Sequence, residues 1–202
     1  MIKHKLQTLI FHPKRVVKKY NDKIYYSLFK IAKPLLNEDY GKHWNFTTFK
    51  GKTVLDLGAD YGSTAWYFKR KGAACVIAVE GDHQRAELLR KNSEKYKFCS
   101  YELMVKSAED IEWLLKRHPH VDVAKVDIEG AEIFLSKCDS QLIKNIPFWM
   151  IETHSEDVNK ILSKWFNDLG YNVSRYSVRT LKDEEIEKRC SLFTADYVAK
   201  HE

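Results

Sequence analysis

The sequence predicts an α/β fold: a doubly wound, mostly parallel seven-stranded sheet with helices on both faces, a terminal β-hairpin and an N-terminal helical extension. Three observations carry this prediction. From Lys52 onward short apolar runs alternate with helix-length amphipathic ones, the pattern of a parallel sheet with crossover helices. A buried strand, Val54-Leu-Asp-Leu57, runs into a glycine turn, Gly58-Ala-Asp-Tyr-Gly62. A second apolar strand, Val76–Val79, ends in a carboxylate, Glu80.

Taken in order, residues 1–11 and 15–32 read as helices separated by Pro13, with Pro34 closing the second. Val17, Tyr20, Ile24, Leu28 and Ile31 recur at three-to-four spacing and form one apolar stripe. Strands are expected at 53–57, 75–79, 101–105, 122–127 and 147–152, and helices at 63–71, 83–96, 108–117, 131–145 and 155–169. Gly170 ends the last helix as a C-cap. Tyr171–Val178 and Ser191–Lys200 then read as two strands flanking a charged loop, Lys182–Arg189. Residues 1–48 form a basic extension and 49–202 the main domain.

Composition narrows the function classes. The chain has 202 residues, 44% of them apolar, enough for a sizeable core. No apolar run approaches the roughly 20 residues of a membrane span, and Leu9-Ile-Phe11 is too short for a signal-peptide core. Cys75, Cys99, Cys138 and Cys190 lack the paired spacing of a zinc site and read as reduced thiols of a cytoplasmic protein. The net charge of +6 is uneven: residues 1–36 carry nine Lys and Arg against Asp22 alone, a net of +8, which leaves −2 for the remainder. A phosphate-bearing or anionic-lipid partner would meet the extension first, although a solvated helix face explains the same charge.

The glycine turn selects a cofactor. Glycines let backbone approach a ligand closely, and the helix starting near Ser63 aims its amide-rich end at the turn. Glu80 lies where a carboxylate accepts two hydrogen bonds from a ribose diol. A dinucleotide fingerprint would need glycines at 58, 60 and 63; the chain has Gly58, Asp60 and Ser63. Asp60 has the wrong charge for a pyrophosphate. S-adenosylmethionine carries a sulfonium and an amino group instead, and Asp56 is placed to offset that positive charge. A nicotinamide or nucleotide site, or an ordinary βα turn, are the competing readings.

A second constellation follows the fourth and fifth strands. Asp127 and Glu129 lie two residues apart, as do Glu152 and His154. If these strands are neighbours, three carboxylates and an imidazole converge, which raises at least one carboxyl pKa and suits proton abstraction from an alcohol. The competing reading is that Glu129 or Glu132 merely caps the following helix. His154 or Asp127 is the candidate base, with Lys125 or Glu129 orienting its partner. A divalent ion such as Mg²⁺ or Mn²⁺ suits the same oxygen-rich cluster, but the sequence offers no further well-placed ligand, so no metal is assigned.

Five βα units followed by a hairpin is the layout of class I methyltransferases. The segments Asp56-Leu-Gly-Ala-Asp-Tyr-Gly62 and Lys125-Val-Asp-Ile-Glu-Gly-Ala-Glu132, with Glu152-Thr-His154, resemble the FkbM-type family of S-adenosylmethionine-dependent methyltransferases over residues 50–155. The resemblance implies cofactor contacts from Asp56, Gly58, Ala59, Gly62 and Glu80, flanked by Asp60, Ser63 and Gly81. It also implies Ser107, Ala108 and Glu109 beside the adenine, and Asp127 facing the transferred methyl. Asp60 departs from the asparagine common in that family. The implied reaction is O-methylation of a hydroxyl on a small molecule, saccharide or lipid-linked glycan. An RNA methyltransferase is the alternative, because Tyr20, Tyr25, Tyr26 and Phe29 interleave with lysines in the extension. A non-catalytic cofactor-binding module is a third reading. The stripe of the extension is expected to pack on the main domain or over the active-site mouth; weak membrane-surface contact is the alternative, without strong hydrophobicity to support it, and the sequence leaves the oligomeric state open.

Overall fold

A computed structural model of the chain describes residues 43–177 and 191–197. The helices expected at 1–11 and 15–32, and the loop Lys182–Arg189, lie outside the described residues. Seven strands form one sheet: β1 (Thr53–Leu57), β2 (Cys75–Glu80), β3 (Cys99–Glu102), β4 (Val123–Val126), β5 (Phe148–Thr153), β6 (Asn172–Ser177) and β7 (Ser191–Asp196). Their order is β3-β2-β1-β4-β5-β7-β6. The first five are parallel, and β7 pairs antiparallel with both β5 and β6. This is the predicted doubly wound sheet with its terminal antiparallel pair.

Helices α1 (Ser63–Arg70), α2 (His83–Tyr96), α3 (Ala108–Arg117), α4 (Ser140–Lys144) and α5 (Glu156–Asp168) cover the sheet. Strand alternation divides the core in two. Leu55, Leu57, Ile77 and Val79 gather with Ile111 and Leu114 of α3 and with Leu162 and Phe166 of α5. Val54, Val76 and Ala78, from the alternate positions, are equally buried, as are Ala65 and Phe68 of α1 and Leu89 of α2. No helix among the described residues is long and apolar enough to cross a membrane.

Two expected elements differ. Strand β3 begins at Cys99 and stops at Glu102, not 101–105, because the chain folds in against Gly81: a Cβ there would sit 2.9 Å from the Met104 sulfur. The helix expected over 131–145 is two pieces, a 3₁₀ segment, Ala131–Lys137, and α4. Cys138 between them is extended, and the Asp139 side chain accepts from Gln141 N at 2.9 Å, starting a new helix.

Candidate active site

The winding reverses between β1 and β4, so the crevice beyond their C-terminal ends is where a ligand is accommodated in such sheets. The turn after β1 is pinned there by Gly58 N and Ala59 N, both donating to Val79 O at 2.9 Å. Gly58 has φ +78°, and a Cβ on it would lie 1.7 Å from the Asp127 carbonyl oxygen. Gly62 (φ +89°) would meet Leu89 and Phe98 at 2.9 Å. Both glycines are therefore demanded first by the protein's own packing, before any ligand approaches. Asp60 also adopts a left-handed conformation, φ +51°, which aspartate and asparagine tolerate better than other non-glycine residues. Ala59 is fully buried and Ser63 opens α1.

Parallel register sets Asp56 of β1 opposite Lys125 of β4. Asp56 is fully buried, and its Oδ2 accepts from Thr64 Oγ1 of α1 at 2.6 Å. Its Oδ1 lies 3.2 Å from Lys125 Nζ, an ion pair without hydrogen-bond alignment. The Lys125 ammonium also donates to Gly58 O at 2.6 Å and Leu57 O at 3.3 Å, sits 3.6 Å from Asp127 Oδ2 and rests over the Trp44 ring. Burial works against this charge, but Asp56 and Asp127 outweigh it and hold Lys125 above the usual lysine pKa. Asp56 is paired inside the protein by Lys125 and Thr64, and Lys125 braces the turn from beneath, a structural part that the sequence did not assign to either. Thr64 and Trp44 have no counterpart in the sequence reading.

Glu80 closes the other side of the turn. Its two oxygens accept from Asp60 N and Asp82 N, both at 2.9 Å, so the ribose-binding candidate also fixes the loop geometry. Each oxygen keeps a second lone pair for a hydroxyl. The Asp60 carboxylate points to Arg85 (3.6 Å) on α2. Further along the same edge, Ser107 is the N-cap of α3, Ala108 is buried in the core and Glu109 is exposed. Lys106 N and Ser107 N donate to Asp110 Oδ2, which secures that helix start.

Strands β4 and β5 are hydrogen-bonded neighbours, so the residues that follow them meet. The imidazole of His154 is the hub. Nδ1 lies 2.9 Å from Glu132 Oε1, and Nε2 lies 3.5 Å from both Asp127 Oδ1 and Glu129 Oε2. Glu132, read from sequence as a possible helix cap, is fully buried and accepts from Ile128 N as well as facing His154. Glu129 reaches the hub through a left-handed backbone (φ +56°), not by strand alternation, since β4 has already ended. Glu152 pairs instead with His43 at 2.8 Å, which pulls its carboxyl below the ordinary value despite burial. Burial pushes Asp127 up to about 6, against the pull of Lys125. For His154 burial opposes the charged ring, but Glu132, Asp127 and Glu129 outweigh it and push the pKa up to about 9. The site thus holds a readily protonated imidazole beside Asp127, a carboxyl raised well above its ordinary value. Of the two candidate bases, only Asp127 has the free lone pairs for the task.

No family model matches the chain. Two curated viral proteins are similar over part of it. Uncharacterized protein 65 of Sulfolobus islandicus filamentous virus is 31% identical over 112 residues, 55% of this chain and 65% of its own length. Uncharacterized protein 158B of Sulfolobus islandicus rod-shaped virus 1 is 31% identical over 84 residues, 41% and 50% respectively. The chain thus spans less than two thirds of either relative. Among solved structures, the precorrin-6y C5,15-methyltransferase of Geobacter metallireducens superposes with a TM-score of 0.58 at 15% identity, covering 74% of this chain and 81% of that one. Aeropyrum pernix fibrillarin, in complex with natively bound S-adenosyl-L-methionine, gives 0.57 at 14% identity, over 73% and 67%. A protein of the NADB-Rossmann superfamily from Streptococcus agalactiae gives 0.57 at 15%, over 83% and 71%. At these identities the likeness is one of fold, and the chain has the Rossmann-like fold that these proteins share.

Proposed function

We propose that the chain is an S-adenosylmethionine-dependent methyltransferase acting on a hydroxyl of a small molecule, saccharide or lipid-linked glycan. The observation that carries the reading is the charge around the turn. Glu80 and Asp60 flank it, with Arg85 offsetting Asp60, and Asp127 lies beside the Lys125 ammonium, which is buried beneath and already paired. That environment disfavours a pyrophosphate and suits a cationic sulfonium. Glu80 would take the ribose hydroxyls, the N-terminus of α1 the donor's carboxylate, and the start of α3 the adenine.

Methyl transfer is an in-line displacement in which the acceptor oxygen attacks the methyl carbon and the sulfonium becomes a neutral thioether. This chain's part is to align the two reactants and to accept the hydroxyl proton, and Asp127 Oδ1 is the acceptor for it. Similarity to FkbM-type proteins supports oxygen as the acceptor atom. RNA is the second substrate reading, favoured by the net charge of +8 over residues 1–36. Steeply salt-dependent binding of bulk RNA would support it.

The direct test is thermal stabilisation by S-adenosylhomocysteine compared with NAD and ATP. A ligand at 100 times its dissociation constant adds about 2.7 kcal/mol, or roughly 5–11 °C in a domain of this size. Stabilisation by NAD alone would reject the reading.

A further inference from the structure

We propose that Asp127, Glu129 and His154 form a binding site for a divalent metal ion of the zinc type, with three protein ligands and one open position. The inference deepens the methyltransferase reading by assigning what holds and activates the acceptor oxygen.

The distances argue for it. His154 Nε2 stands 3.5 Å from a carboxylate oxygen of Asp127 and 3.5 Å from one of Glu129, and all three atoms lie within 4.8 Å of one another. Those separations are too long for good N–H···O hydrogen bonds. The two separations from Nε2 match neighbouring donors around a common centre: bonds of about 2.1 Å at the tetrahedral angle place such ligands about 3.4 Å apart. A proton on Nε2 can close only one of the two gaps to hydrogen-bond distance, whereas one ion between the three atoms closes both.

The surrounding contacts prepare each ligand. Glu132, fully buried and anchored by Ile128 N, takes the Nδ1 side of the ring, which leaves Nε2 as the coordinating nitrogen. A carboxylate behind a ligating imidazole fixes its tautomer and raises its basicity. Asp127 divides its oxygens, Oδ2 towards Lys125 and Oδ1 towards His154. The Glu129 side chain is 80% exposed, so the cluster opens to solvent on that side and a fourth ligand can enter. An imidazole with two carboxylates favours a borderline ion over Mg²⁺ or Ca²⁺. Bound there, an acceptor hydroxyl would be acidified. With the ion bound, Asp127 Oδ1 is a ligand and no longer the proton acceptor: the hydroxyl proton leaves to water, the oxygen bonds to the methyl carbon and the carbon–sulfur bond breaks to give the neutral thioether.

The test uses the full chain after chelator treatment, without any adenosyl ligand. Zn²⁺ is titrated calorimetrically, and Co²⁺ is added as a visible-absorption probe of tetrahedral geometry. One equivalent of Zn²⁺ should bind, and Co²⁺ should give intense tetrahedral bands. Glu129→Gln and His154→Gln should each weaken Zn²⁺ at least 100-fold, and Glu132→Gln about 10–100-fold through the ring it orients. Glu94→Gln, at an exposed side chain of α2, should change nothing. Circular dichroism verifies that each variant folds, and Glu129→Gln, at an exposed side chain, keeps the test intact if a buried variant does not. Absence of stoichiometric Zn²⁺ uptake, or uptake unchanged in Glu129→Gln, overturns the proposal. Titration with S-adenosylhomocysteine is read separately, so loss of metal binding and loss of donor binding are distinguishable outcomes.

Discussion

Replacing Lys125 by methionine isolates one charge in the middle of the fold. Methionine retains most of the stem volume, so the packing against Trp44 is largely kept and the ammonium alone is lost. That ammonium is 1% exposed and holds Gly58 O at 2.6 Å, Leu57 O at 3.3 Å and Asp56 Oδ1 at 3.2 Å. Without it the fully buried Asp56 keeps only the Thr64 hydroxyl, and a carboxylate stranded in this way costs about 3–5 kcal/mol. At roughly 2–4 °C per kcal/mol the melting temperature should fall by about 6–20 °C. Replacing both partners, Asp56→Asn with Lys125→Met, removes the stranded charge, so the double variant should be less destabilised than the two single losses summed. Urea titration of the four proteins gives the coupling energy. A loss below about 1 kcal/mol in Lys125→Met, or strict additivity in the cycle, would refute the strut role.

Other consequences are equally accessible. Gly58→Ala combines a left-handed backbone with a Cβ 1.7 Å from the Asp127 carbonyl and should cost about 2–5 kcal/mol by urea denaturation. Gly51→Ala, at φ +77° with nothing within 4 Å, should cost only about 1–2 kcal/mol; equal losses would contradict the close approach of β4. Brief alkylation read by peptide mass spectrometry should label the exposed Cys99 and spare Cys138, whose thiol is buried and pushed up to about 12. Tyr171→Phe removes a buried hydroxyl held 2.7 Å from Ile143 O and 2.8 Å from Ile146 O, and should lower stability by about 1–3 kcal/mol. Should a methyl acceptor be found, Asp127→Asn is expected to slow turnover about 100-fold at an unchanged melting temperature; undiminished turnover would remove Asp127 from the chemistry.

The legible parts of this fold are local. Gly58, Gly62 and Glu80 could be picked out because the strand, turn and following acid are close in sequence, and the βα alternation needs only hydrophobic periodicity. The meeting of Asp127 and His154 was legible only on the condition that β4 and β5 are neighbours, which they are. What escaped depends on partners far along the chain. Lys125 reads from sequence only as a group beside the acceptor, and the register with β1 adds Asp56 opposite it. Glu132 reads as a helix cap until β5 delivers His154 against it. Trp44 and His43 lie before the recognisable motifs, yet one covers Lys125 and the other binds Glu152. The break at Cys138 did leave a signal, an aspartate followed by a short helix-forming run, which periodicity across 131–145 obscured.

The account turns on whether the carboxylate-lined turn takes up an adenosyl sulfonium donor. Calorimetric titration of S-adenosylhomocysteine into the wild-type chain and into Glu80→Gln measures this most directly. The prediction is one molecule bound per chain, with at least 10-fold weaker binding in the variant, about 1.4 kcal/mol or more. No binding to the wild type, or tight binding of NAD in its place, would contradict it.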